Sequence, residues 1–254
     1  MTDKSLEAHF IKCLKEGNTK KALYIVELLG DKVNALYGAK SLLVFAKEFE
    51  NKEVARVLEE KGAREIISDE EAKKLGIELI EKAKVGDLDA IIEFVGKGAK
   101  VDEKDNNGNT PLMRASADGH VDVVKTLIEN GAKVDEKNKD GNTPLMWASA
   151  DGHVVVVKTL IEKGAKVDEK DNRGYTALIW ASENGHVKIA KALLDAGADV
   201  NIKNEFGETA MSLTKYEEIR RVIIEAVKKR KEKAKENEPG FMEKMKGLFG
   251  KDKE

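Results

Sequence analysis

NTPLMRASADGHV at residues 109–121 returns as NTPLMWASADGHV at 142–154, and across those thirteen positions one residue differs, Arg114 against Trp147. Sliding the 254-residue chain along itself by 33 positions extends the match to units 99–131, 132–164, 165–197 and 198–230, the first two sharing 27 of 33 residues. Repetition at this period predicts a solenoid, because a unit this short buries its apolar face only against its neighbours. Each segment of the unit has a mechanical reading. Thr110, Thr143, Thr176 and Thr209 suit a helix N-cap, and Pro111 and Pro144 take the first helical position, where a missing N–H is harmless. Gly119 and its equivalents Gly86, Gly152 and Gly185 can adopt the left-handed conformation that ends this helix. In VDVVKTLIEN the spacing puts Val121, Val124, Leu127 and Ile128 on one face of a second helix, closed by Gly131. The remaining AKVDEKNKDG reads as an extended arm running into a tight turn. Ala115 and Ser116, repeated as Ala148 and Ser149 and as Ala181 and Ser182, are small enough to let neighbouring first helices approach closely.

In this order of turn, TPL helix, GH, second helix and GAxV arm, GNTPLMRASADGHVDVVKTLIENGAKVDEK resembles the ankyrin repeat family, densely over 99–230. The resemblance implies an all-α fold: an ankyrin-type helical solenoid with short β-hairpin loops, about seven repeats counting degenerate ones. Where that family often has His after TPL, this chain has Met113, Met146, Ile179 and Ser212, so the loop-holding hydrogen bonds of that His are missing.

Upstream the pattern weakens. Residues 1–62 are expected to form degenerate helix pairs, 63–98 an irregular connection over 63–74 followed by an N-side repeat without its Thr-Pro, 99–197 three regular repeats, and 198–230 a C-terminal capping repeat. In the capping unit Tyr216 and Glu217 replace the GH turn, and the last helix carries charges suited to facing water. Residues 231–254 are expected to be a charged linker and an amphipathic tail helix, with Phe241, Met242, Met245, Leu248 and Phe249 on one face. That tail is expected to dock on the solenoid's own end or a second copy, or to lie on a membrane surface as the tether of an adaptor.

Composition narrows the function classes. With 45 Lys plus Arg against 47 Asp plus Glu, the net charge of -2 gives no whole-molecule attraction to nucleic acid or to an acidic membrane. One cysteine, Cys13, forms no intrachain disulfide, which fits a reducing compartment. The N-terminal residues lack a signal-peptide pattern and no stretch reaches the ~20 apolar residues of a membrane span, so a cytoplasmic protein is expected. His120, His153 and His186 recur one unit apart, and stacked helices ~8–10 Å apart cannot bring three such side chains to one metal. These histidines fit the structural GH turn. No Walker-type loop, HExxH, CxxC pair or GxSxG elbow occurs, so no cofactor, metal or catalytic residue is expected and the chain is read as a non-enzyme.

The six differences between the two closest units, 105/138, 106/139, 107/140, 114/147, 122/155 and 130/163, mark positions expected to be released from folding duty, by drift or for binding. The resemblance implies a partner protein bound along a concave surface of hairpin tips and first helices. The column Arg114, Trp147, Trp180, Leu213 holds both tryptophans of the chain, and Trp, Tyr and Arg dominate interface energetics. Tyr175 stands beside it, with Asn107, Lys139, Asp140 and Arg173 in the turns and Lys104, Lys137 and Lys170 along a basic edge. These residues form the candidate site of a monomeric scaffold or adaptor, or of a secreted effector that binds a foreign protein. Packing of the tryptophans as core between helices, and solvation of the lysine row by nearby acids, are the competing readings.

Overall fold

The computed structural model describes residues 3–29, 42–60 and 69–236. The tail residues Phe241, Met242, Met245, Leu248 and Phe249 lie outside the described residues. Fourteen helices occur among those described, with no strand. None of these helices is long and apolar enough to cross a membrane. By packing, the chain divides into two compact units, Met1–Leu79 with Asp89–Glu103, and Ile80–Leu88 with Lys104–Glu254.

The first unit contains the helix pairs α1 (Asp3–Lys15) with α2 (Thr19–Leu29) and α3 (Leu42–Glu48) with α4 (Lys52–Glu60). Phe10, Val26, Leu42, Val54 and Leu58 are fully buried in its core. Asn18 and Asn51 cap α2 and α4 by accepting from the amides of Lys21 and Val54. Asn51 also donates its side-chain amide to Thr19 Oγ1 at 3.0 Å, which ties the two pairs together. Helix α5 (Asp69–Val85) begins five residues before the expected irregular connection ends at 74, because Asp69, Glu70 and Glu71 put three acids in its first turn, where the helix dipole favours them. Helix α6 (Leu88–Gly96) follows.

In the second unit the sequence period becomes a stack. Four helix pairs follow one another: α7 (Pro111–Ala117) and α8 (Val121–Glu129), α9 (Pro144–Asp151) and α10 (Val154–Glu162), α11 (Ala177–Glu183) and α12 (Val187–Asp195), α13 (Ala210–Leu213) and α14 (Glu217–Glu236). First helices pack on first helices and second on second. The predicted threonine caps form: Thr110, Thr143, Thr176 and Thr209 accept from the amide three residues on, at 3.3–3.4 Å. Ala115, Ala148 and Ala181 are completely buried, as close approach of the first helices requires. In α8 the buried face is Val123, Val124 and Leu127, with Val121 and Ile128 half-buried. The stripe is shifted from the expected one because α8 packs both on α7 and on α10.

The GH turn couples one repeat to the next. Gly119 has φ +78°, and a Cβ built there would lie 2.4 Å from Nδ1 of His153, one repeat on. Glycine is therefore required twice, by the left-handed backbone and by the imidazole that fills the space of its side chain. The histidines reach backward: His120 Nε2 lies 2.9 Å from the Lys84 carbonyl and His186 Nε2 2.9 Å from the Ala150 carbonyl. In the capping repeat α13 is only four residues long, and the Tyr216 ring takes the place of the histidine against Gly185. Helix α14 continues through 231–236, the beginning of the expected linker. Its Arg230 donates to the carbonyl of Leu194 at the end of α12 and to that of Ala198 in the arm that follows.

Candidate functional site

The hairpin arms of the second unit are closed by side chains. Asp105, Asn138, Asp171 and Asn204 each use Oδ1 to accept from the amides two and four residues on, at 2.8–3.0 Å. This bond set holds the loops without the histidine whose absence the sequence pattern raised. One acceptor oxygen suffices, which is why Asp and Asn alternate in the column. Adjacent turns are then linked by single backbone bonds, from Lys139, Asn172 and Glu205 to the carbonyls of Asn107, Asp140 and Arg173. These links replace the strand ladder expected of β-hairpins, since each turn tip is too short for one.

The lysine row runs between turns. Lys104 donates to the Lys137 carbonyl at 3.0 Å, Lys137 to that of Lys170 at 2.9 Å, and Lys170 to that of Lys203 at 3.4 Å. Lys104 and Lys137 also pair with Glu136 and Glu169 at 2.8 and 2.7 Å. Each ammonium holds its partner carboxyl below the usual carboxylate range. The row thus binds neighbouring repeats together and is not a bare basic edge.

Two of the differing positions, 105 and 114, meet directly. Arg114 Nη2 meets Asp105 Oδ2 at 2.7 Å. Burial raises the Asp105 carboxyl, but the Arg114 guanidinium and the groups of Asn109 and Asn107 bonded to it together hold it below its ordinary value. One repeat on, Asn138 replaces the aspartate and donates Nδ2 to Asn109 Oδ1 at 2.9 Å, while Trp147 replaces the arginine. Arg114 is therefore engaged by the turn of its own repeat, contrary to the expectation that this position is released from folding duty, whereas a tryptophan in the column accompanies either residue, Asn138 before Trp147 and Asp171 before Trp180. An arginine at 147 would face a neutral amide in place of the carboxylate.

Trp147 and Trp180 are both half-buried, and their indole Nε1 atoms are buried without a hydrogen-bond acceptor. They line a cleft of about 520 Å³ together with Met146, Ala150, Asp140, Asn142, Asp151, Asp171, Asn172, Arg173 and Asn184. Tyr175 is only 7% exposed, and its ring centroid lies 4.9 Å from that of Trp180. The exposed Arg173 stacks over both rings, at 4.9 Å and 5.4 Å. Of the sequence candidates, Trp147, Trp180, Asp140 and Arg173 come together at this cleft. Arg114 is tied to Asp105, Asn107 and Lys139 are exposed at turn tips, and Tyr175 lies beneath Arg173. Asp151 and Asn184 were not among those candidates, although each stands four residues after a tryptophan, one helical turn along the same face. Partial burial raises the Asp151 carboxyl, His153 lowers it, Asp118 raises it again and His186 lowers it, and the net displacement is upward.

Paired helices stacked at a fixed period, joined by projecting turns and lacking strands among the described residues, define an α-solenoid of helix-turn-helix repeats. A family model for ankyrin repeats in three copies matches residues 79–171 and, in an overlapping placement, 130–204. Through this region the chain belongs to the ankyrin repeat family. Ankyrin repeats are in general protein–protein interaction modules. A comparison with curated proteins returns no match.

Proposed function

We propose that the chain is a non-enzymatic protein-binding scaffold or adaptor whose partner docks at the cleft of Trp147 and Trp180. What carries the reading is the pair of unsatisfied indoles. A buried donor without an acceptor costs roughly 1–3 kcal/mol. The same column in the capping repeat holds Leu213, an apolar residue with no such donor. Two tryptophans in that column thus weigh against stability, and residues that break a local rule in this way concentrate at functional sites. Both are half-exposed in a concave site, the setting in which Trp acts as an interface anchor.

The test is Trp147→Leu/Trp180→Leu, which places in both repeats the residue found at 213. Affinity capture with the intact chain and the variant is compared alongside thermal melting. The reading expects a melting temperature that falls by no more than about 2 °C, the shift that ~0.5 kcal/mol produces in a chain of this size, and that rises where the lost indole donors outweigh the lost packing, together with loss of a protein that the intact chain retains. A variant that melts far earlier identifies the tryptophans as core, and one that keeps every partner moves the binding surface elsewhere.

A further inference from the structure

Repeats 132–164 and 165–197 treat their tryptophans differently. Arg173 lays a guanidinium over Trp180, giving that ring the cation that an aromatic face attracts. The position equivalent to Arg173 one repeat earlier is Asp140, so the same slot beside Trp147 holds a carboxylate. No cation stacks on Trp147 among the described residues. Asp151, one helical turn beyond Trp147, adds another carboxylate to the cleft; a third, Asp171, is buried and spends Oδ1 on the amides of Arg173 and Tyr175. Neither Asp140 nor Asp151 has an ion pair among the described residues. The upward displacement of the Asp151 carboxyl agrees with a charge left short of solvation, which the neighbouring His153 and His186 offset only in part.

Resting on the cleft as the partner site, we infer that the group filling it is a basic side chain of the partner protein, stacked on Trp147 and paired with Asp140 and Asp151. Arginine fits best, since its planar guanidinium both stacks and forks onto carboxylates. The guest would do at Trp147 what Arg173 does within the chain at Trp180.

The chain contains two tryptophans, so the full-length protein labelled at indole nitrogen gives two indole N–H resonances, assigned with Trp147→Leu. The probe is the capped peptide Ac-Ser-Arg-Ser-Arg-Ser-NH2, with controls carrying Leu or Glu in place of both arginines, titrated to millimolar concentration. The Arg peptide is expected to move the Trp147 signal saturably, with an affinity that falls as salt is raised. Asp140→Asn/Asp151→Asn should weaken it at least tenfold. Asp140→Arg should abolish it by supplying a cation from within the chain, as Arg173 does for Trp180. Asp140 is an exposed turn residue, and melting of both variants checks that the fold is retained. The inference is overturned if the Leu or Glu peptide binds as well as the Arg peptide, if Asp140→Arg binds like the intact chain, or if no peptide moves the Trp147 signal. Those failures leave the cleft itself standing when the double Trp→Leu variant still loses its captured partner, and they are thereby distinguished from failure of the site.

Discussion

Repeat 132–164 and repeat 165–197 share their cap threonine, their GH turn and a tryptophan in the first helix, yet one sets Asp140 and the other Arg173 beside that tryptophan. In the later repeat the slot is filled from within: Arg173 covers Tyr175 and Trp180. In the earlier one Asn142 stands in the place of Tyr175, and the cleft opens against Trp147. The columns common to both repeats build the stack, and the columns that differ decide whether a repeat completes its own surface or leaves it for a partner.

The shared columns should tolerate least. Gly185→Ala and Gly152→Ala each force a non-glycine residue into a left-handed conformation, at φ +82° and +89°. Each new methyl would also meet a ring, 2.5 Å from Tyr216 Cζ or 2.8 Å from His186 Cε1. Losses of at least about 2 kcal/mol by urea unfolding are expected, larger at Gly185 because of the closer approach. Similar losses at the two sites would show that backbone conformation alone sets the requirement.

A smaller effect tests the coupling of the differing columns. Asn138→Asp sets a carboxylate oxygen against Asn109 Oδ1 where an amide now donates, and should cost about 1–3 kcal/mol. Adding Trp147→Arg recreates the ion pair of the preceding repeat, so the double variant should recover at least ~0.5 kcal/mol beyond additivity. Strict additivity would return these positions to independent drift.

The smallest effects separate two carboxylates by the sign of their pH dependence. Asp105, held below its ordinary value of 3.8, adds stability at neutral pH that is lost as pH falls through its depressed pKa. Asp105→Asn should thus lower the melting temperature at pH 7, by the equivalent of about 0.5–1 kcal/mol, and lose that effect in acid. Asp151, raised above 3.8, favours folding fully only below that value and ceases to do so as pH rises through its elevated pKa. Asp151→Asn should therefore raise the melting temperature slightly at pH 7 and have no effect below pH 3.8. Matching pH profiles for the two variants would contradict the opposite environments assigned to these groups.

Much of the fold was legible because the period, the threonine caps and the GH turn are local signals repeated in the chain. Why the glycine before each histidine tolerates nothing else was legible only in part. Its backbone conformation is a local matter, but the imidazole occupying its side-chain space comes from the following repeat. The start of α5 at Asp69 and the continuation of α14 to Glu236 went beyond the expected boundaries, since charged stretches without apolar periodicity carry little sign of where a helix stops.

The candidate site divides in the same way. Trp147 and Trp180 stood out by composition and column, whereas Asp151 lay in a stretch identical to its neighbour and carried no distinguishing letter. The lysines formed a visible row, but their acceptors are carbonyls one repeat away, which no residue pattern displays. The sequence by itself determined that helix pairs stack at a period of 33 and which columns vary, because capping, turn chemistry and apolar spacing act within one repeat. Only the tertiary structure decided that Arg114 belongs to Asp105, that Arg173 occupies Trp180, and that Trp147 faces an open cleft, because those relations form between side chains brought together by stacking.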